Sequence, residues 1–309
     1  MTEGVLFPGQ GAQFEGMGRD WAEAYPIAQK TWEEADEILG FSLREKCWSS
    51  GDEVNRTDIA QPGIFTTGVA IIRVLEERGL LPEPAALTAG LSLGEYTALW
   101  YAGSLKFEDG LRLVRLRGEA MQDASESIPS SMMSLTGADE EKARSVAEAG
   151  STVGICSVAN LNAPGQIILS GELAALDHVE AVAKDHGIRR VRRLVVAGGF
   201  HSECMRPAAD RLAVALKEVE LQTPRIPFLS NVTGAETTDV EAIRSQLADQ
   251  VCASVLWEKS MRDALGRGVT RFLEPGPGKV LAGILKRIDE NAEVRAADVP
   301  SALEASEGA

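Results

Sequence analysis

The sequence predicts an α/β fold in which a parallel sheet flanked by helices carries a reactive serine, with a smaller βαββαβ unit inserted. Three observations predict it. Over the first third of the chain, short apolar runs alternate with helix-like patterns, the rhythm of a parallel sheet. The apolar run 85–89 feeds Gly90-Leu91-Ser92-Leu93-Gly94 and then the helix-like stretch 95–100. Strand, G-x-S-x-G turn and helix are the layout of a nucleophile elbow. Between residues 126 and 199 the order becomes strand, helix, strand, strand, helix, strand, the split-βαβ or ferredoxin-like arrangement.

In chain order, Val5, Leu6 and Phe7 form a first strand that enters the polar loop Pro8-Gly9-Gln10-Gly11-Ala12-Gln13. Trp21, Ile27, Trp32, Ile38 and Leu39 follow as an amphipathic region. A helix is expected over 63–78, with Ile64, Val69, Ile71, Ile72, Val74 and Leu75 as its apolar residues and Gly79 at its end. After the elbow, a helix runs from 107 to about 124, and residues 125–131 break the pattern. The small unit has strands at 132–135, 153–159, 166–170 and 191–196, and helices at 139–149 and 172–186. Beyond it come a helix at 204–219, a strand at 227–230, further helices and a strand at 271–273. The Ala/Glu/Ser-rich end from about 300 is expected to fray. The domains are therefore 1–125 with 200–309 as the large α/β unit, and 126–199 as the insertion.

Composition narrows the chemistry. The 309 residues suit one large domain or two unequal ones, and 44% hydrophobic with 25% charged content is that of an ordinary globular protein. A net charge of −15 argues against nucleic-acid binding. No apolar run approaches the roughly 20 residues that span a bilayer, which leaves no membrane role. No basic region precedes the first strand, so there is no secretory signal and the expected location is cytoplasmic. Cys47, Cys156, Cys204 and Cys252 are scattered without metal-ligand spacing, so free thiols are expected and no metal site. Phe14 stands where a dinucleotide fingerprint needs glycine, and Val280 follows Gly278-Lys279 where a P-loop needs Ser or Thr. No cofactor is implied. The cluster Arg189, Arg190, Arg192 and Arg193 reads either as a solvated edge strand or as a local patch for an anionic partner.

A serine hydroxyl needs a base to become a nucleophile, and histidine suits that role near neutral pH. Only three histidines exist. His178 and His186 sit among Asp177, Glu180, Lys184 and Asp185 on a polar helix and read as surface residues. His201 follows a strand and the turn Ala197-Gly198-Gly199-Phe200, at the return to the large domain. Elimination pairs Ser92 with His201. The helix that starts after the elbow puts backbone amides where an oxyanion would form.

Several blocks occur together in one order: Phe7-Pro8-Gly9-Gln10-Gly11-Ala12-Gln13, Gly90-Leu91-Ser92-Leu93-Gly94-Glu95-Tyr96, Arg117-Gly118, Asn162-Ala163-Pro164-Gly165-Gln166, Gly199-Phe200-His201-Ser202 and Glu274-Pro275-Gly276-Pro277-Gly278-Lys279-Val280-Leu281. Together, out to about residue 287, they resemble the malonyl-CoA:acyl carrier protein transacylases, the acyltransferase family of fatty acid and polyketide synthesis. The resemblance implies a hydrolase-like α/β domain with a ferredoxin-like insertion. It makes Ser92 the acyl-accepting nucleophile and His201 its base, oriented by a backbone carbonyl near Gln250. The amides of Gln10 and Leu93 become the oxyanion hole. Among Arg112, Arg115 and Arg117, which the residues alone do not separate, it selects Arg117 to clamp the malonyl carboxylate. Gln250, Asn162 and Phe200 are placed at the substrate, with Phe200 crowding the acyl α-carbon; a packing role fits Phe200 equally. The implied reaction is ping-pong, from malonyl-CoA to Ser92 and on to the phosphopantetheine thiol of acyl carrier protein. The implied protein is a monomeric [acyl-carrier-protein] S-malonyltransferase supplying fatty acid biosynthesis, and the arginine cluster gains a carrier-docking role. Leu91 departs from the histidine many members carry there. A trans-acting polyketide acyltransferase, a serine thioesterase or esterase, and a non-catalytic scaffold are the alternatives; intact Ser92 and His201 oppose the last.

Overall fold

A computed structural model describes residues 3–49 and 51–303. The chain opens with the buried strand β1 (Glu3–Phe7), then α1 (Arg19–Ala24), α2 (Pro26–Leu39) and α3 (Leu43–Trp48). Pro26 starts α2, where its missing N–H is no loss, and the Ser42 side chain caps α3 by accepting the Glu45 N–H. Next comes α4 (Thr57–Glu77), buried along most of its length. It starts six residues before the expected 63 and holds Pro62 inside it, which cannot donate to the ladder. The carbonyl of Asp58 that Pro62 leaves free accepts from Arg115 Nη1 at 2.5 Å, so the helix loses no buried hydrogen bond there.

The elbow joins β2 (Thr88–Gly90) to α5 (Gly94–Tyr101), and α6 (Phe107–Ser127) packs on α4. Gly118 makes that packing close: a Cβ there would stand 2.7 Å from the Thr57 carbonyl oxygen. The strand and helix order expected for 126–199 follows as β3 (Ser130–Thr136), α7 (Glu140–Ser151), β4 (Cys156–Ala163), β5 (Gln166–Glu172), α8 (Leu173–Val182) and β6 (Arg190–Arg193). Boundaries shift within it. β4 lies several residues later than expected and carries two register irregularities against β5. α8 stops at Val182, and His186 sits in the following turn, hydrogen-bonded to Ser145.

The remainder is α9 (Arg206–Lys217), β7 (Phe228–Ser230), β8 (Ala235–Glu236), α10 (Val240–Asp249), α11 (Trp257–Gly266), β9 (Arg271–Pro275), α12 (Val280–Ile288) and β10 (Glu293–Ala297). β10 has no counterpart in the sequence reading. It is an edge strand, mostly half-exposed, and so lacks a strong apolar signature. Residues 301–303 are helical with Leu303 buried, where fraying was expected; the rest of that tail lies outside the described residues.

Two sheets result. The large one has the order β10-β9-β1-β2-β7-β8 and is parallel except for the β7–β8 pair. The other, β4-β5-β3-β6, is antiparallel, and its strands all lie between Ser130 and Arg193. No described helix is long and apolar enough to cross a membrane. Register fixes what meets at the carboxyl edge of the large sheet. Phe7 pairs with Gly90, and Ala89 with Leu229, so the loop after β1, the elbow after β2 and the turn after β7 emerge side by side. Val255 lies alongside β4 of the small sheet as an isolated parallel bridge: its N–H donates to the Ala159 carbonyl at 2.8 Å and its carbonyl accepts from Leu161 at 2.9 Å.

Candidate active site

Ser92 and His201 meet at this edge. Ser92 Oγ lies 2.8 Å from His201 Nε2, and His201 Nδ1 lies 2.7 Å from the Gln250 carbonyl oxygen. A carbonyl only accepts, so the proton sits on Nδ1 and Nε2 is free to take the serine proton. Both residues have left-handed backbone, φ 52° at Ser92 and φ 59° at His201, the two such non-glycine residues among those described. Such conformations cost of order 1–3 kcal/mol each and persist where the surroundings over-determine them. At Ser92 the determinant is Asn231, just past β7. Its Oδ1 accepts the Ser92 N–H at 2.7 Å and its Nδ2 donates to the Gly90 carbonyl at 2.7 Å, bracing the turn from both ends.

Arg117, on α6, is 2% exposed and reaches the nucleophile. Its Nη2 donates to Ser92 Oγ at 3.1 Å and to Gln250 Oε1 at 2.9 Å, and Nη1 donates to Gln61 Oε1 at 2.7 Å. The guanidinium also lies over the Tyr96 ring, 5.8 Å from its centroid. Among the described residues no carboxylate pairs with it directly, and its buried Nε has no partner. Arg112 and Arg115 instead pair with Glu108 and with Glu119 and Asp58.

Burial pulls the His201 imidazole down to about 4, and the Arg117 charge adds to the effect against the Gln250 and Ala253 backbone. The ring is neutral near pH 7, the form a base requires. Burial pushes the Glu95 carboxyl up to about 8, opposed by hydrogen bonds from Asn231 and Gln250 and by Arg117.

The other expected residues fall as follows. The Gln10 and Leu93 N–H groups have no acceptor among the described residues, whereas the Ser92 N–H is already taken. The Gly9 backbone lies against the elbow: a Cβ on it would stand 2.2 Å from the Leu91 carbonyl oxygen and 3.7 Å from the Leu93 nitrogen. Gln250 belongs to the site by both its carbonyl and its side chain. Asn162, on β4, is buried, and its Oδ1 has no hydrogen-bond partner among the described residues. Phe200 is packed in the main apolar core. Leu91 packs on the second core, which includes Leu6, Ala89 and Trp257. On β6, at the edge of the small sheet, Arg190 and Arg192 are exposed and Arg193 pairs with Asp177 and Glu180. Arg189, just before it, is exposed too.

Sequence reasoning assigned no part to Gln61, Glu95 or Asn231. Gln61 and Glu95 are polar residues set in apolar helix stretches, between Ala60 and Pro62 and ahead of Tyr96 and Leu99, and that mismatch was the available signal. Nothing local marks Asn231.

The chain resembles known proteins along almost its whole length. The acyl transferase domain family matches residues 5–290. A Bacillus subtilis protein named malonyl CoA-acyl carrier protein transacylase is 38% identical over 301 residues, covering 97% of this chain and 94% of that one. The crystal structure of an acyl carrier protein S-malonyltransferase from Vibrio cholerae superposes with a TM-score of 0.94 at 35% identity, covering 99% of this chain and 100% of the other. A malonyl-transacylase solved with a type II PKS acyl-carrier protein gives 0.92 at 36% identity, with full coverage of both chains. The chain belongs to the acyl transferase family, and its likeness there is to the malonyl CoA-acyl carrier protein transacylases.

Proposed function

We propose that the protein transfers malonyl groups from malonyl-CoA to the phosphopantetheine thiol of acyl carrier protein, through a malonyl ester on Ser92. One observation carries the reading: a buried guanidinium, held only by neutral acceptors, 3.1 Å from the nucleophile. A buried cation without a direct counter-charge favours an anionic ligand. An acyl group on Ser92 that ends in a carboxylate supplies one, and an acetyl group does not.

In the first half-reaction His201 Nε2 takes the Ser92 proton as Oγ attacks the thioester carbonyl. The amides of Gln10 and Leu93 receive the oxyanion, and the CoA sulfur leaves with the proton from His201. In the second, His201 takes the proton of the carrier thiol, sulfur attacks the ester, and Ser92 leaves with that proton. His201 is 4% exposed, which disfavours water as the second nucleophile. Asn162 offers its unpaired oxygen as a substrate contact, Phe200 lies beside His201 near the acyl α-carbon, and Arg189, Arg190, Arg192 and Arg193 serve as the docking patch for the anionic carrier. In this reading the cytoplasmic enzyme has a hydrolase-like domain, 1–125 with 200–309, and a ferredoxin-like insertion, 126–199, whose strand order β4-β5-β3-β6 supports that description.

The test is to incubate the protein with radiolabelled malonyl-CoA, digest it and map the label. Label on Ser92, exceeding that from acetyl-CoA, is expected; label elsewhere, or equal labelling by acetyl-CoA, would sink the proposal. The oxyanion assignment has its own check. Gly9→Ala forces the loop off the Leu91 carbonyl and carries the Gln10 amide with it, so kcat is expected to fall roughly 10²–10³-fold, the worth of one oxyanion donor. Unchanged turnover in a folded Gly9→Ala protein removes Gln10 from the site.

A further inference from the structure

We propose that Glu95 is a positioning residue for acyl selection, acting on Arg117 through the Gln250 side chain; this rests on the malonyl reading above. Glu95 lies on the first turn of α5, 1% exposed, and touches neither Ser92 Oγ nor His201 through any hydrogen bond described. Its two oxygens have separate tasks. Oε1 accepts the backbone N–H of Asn231 at 2.5 Å, and Oε2 accepts from Gln250 Nε2. The same Nε2 donates to the Ser92 carbonyl at 2.9 Å, so both of its hydrogens are used and the amide orientation is fixed. Gln250 Oε1 must then face Arg117 Nη2, and does so at 2.9 Å.

The result is a buried relay from carboxyl through amide to guanidinium. The Glu95 carboxyl stands one residue back from Arg117, so Arg117 is oriented without being paired off. A carboxylate in direct contact would compete with the malonyl carboxylate for the same hydrogens. A neutral acceptor does not.

Glu95→Gln breaks the relay with little change of shape. The Asn231 N–H still requires an acceptor, so the new amide turns its oxygen there and its NH2 toward Gln250. Gln250 must then flip, presenting its own NH2 to Arg117 and its oxygen to the Ser92 carbonyl, both unfavourable. The readout is kcat/KM for malonyl-CoA divided by kcat/KM for acetyl-CoA, with carrier protein as acceptor. In Glu95→Gln this ratio is expected to fall about tenfold or more, the scale of one charge-assisted hydrogen bond. Gln250→Leu is expected to lower it similarly, and adding Glu95→Gln to Gln250→Leu is expected to lower it no further.

If Glu95 only braces the elbow through Asn231, both substrates suffer equally and the ratio holds, which overturns the proposal. Additive losses in the double variant also overturn it. If Glu95→Gln does not fold, Gln250→Leu leaves the Glu95–Asn231 bond in place and decides alone, an unchanged ratio overturning the proposal. A wild-type protein without malonyl preference would instead overturn the functional reading itself, before any variant is compared.

Discussion

Arg117→Ala is expected to lower kcat/KM for malonyl transfer by roughly 10²–10³-fold while acetyl transfer or hydrolysis gains relative to it. The wild-type guanidinium reaches the nucleophile through Nη2, and a guanidinium fork can bind a carboxylate two bonds from the acyl carbonyl bidentately. Alanine removes the fork from a site that is 2% exposed, so water compensates poorly. It also leaves the oxygens of Gln61 and Gln250 without their donor. Some loss of stability must follow, and a thermal unfolding curve separates it from the kinetic effect. Arg117→Lys is expected to fall between alanine and wild type, since one ammonium cannot serve Gln61 and Gln250 from opposite sides and still face a carboxylate. The decisive measurement is the malonyl-to-acetyl ratio of kcat/KM. An unchanged ratio in folded Arg117→Ala removes the residue from acyl selection.

Arg117 also shows where reading a sequence stops. Arg112, Arg115 and Arg117 share one helix and one charge, and composition treats them alike. Their phases on α6 differ. Arg117 falls three residues after Val114 and four before Met121, on the buried stripe, whereas Arg112 faces solvent. A charged residue on an apolar stripe was a legible mismatch, but it does not reveal what the charge faces. The elbow was legible for the opposite reason. Its chemistry is local: a strand, a turn that tolerates no side chain at its glycines, and a helix, all within a few residues. His201 was reached because histidines are scarce, not because its surroundings advertised it.

Other determinants lay out of reach because they depend on register. Asn231 touches Ser92 only because β7 pairs with β2 in parallel, Ala89 opposite Leu229. Gln250 was expected to act through its carbonyl, and it does lie against His201, yet its side chain links Glu95, Ser92 and Arg117 as well. The helix expected from 63 starts at Thr57 for a related reason. The carbonyl that proline orphans is satisfied by Arg115, a partner from another helix. Leu91 reads differently once its surroundings are known: it packs on the apolar cluster around Trp257, so this position contributes packing here.

His201→Ala is expected to reduce kcat by roughly 10⁴-fold or more, comparable to the loss of a base in other serine enzymes. The alanine protein should still bind malonyl-CoA, since Arg117 keeps its partners, but should accumulate no label on Ser92 in a stopped reaction. The wild-type pH profile tests the same residue without mutation. With its imidazole held down to about 4, His201 stays an effective base well below neutrality, and kcat/KM should be flat from neutral pH to about 5 and fall as pH drops through about 4. Burial sets most of this and the Arg117 charge the rest, so Arg117→Ala should move the acid limb upward. Stability carries the same sign. The unfolded histidine, near 6.5, takes up a proton before the folded one does, so the His201 contribution to stability is present above about 6.5 and is lost as pH falls toward about 4. An acid limb near 6.5 in the wild type, unmoved in Arg117→Ala, would show that His201 titrates as a solvated ring and that the buried Ser92–His201–Gln250 alignment is not the one that reacts.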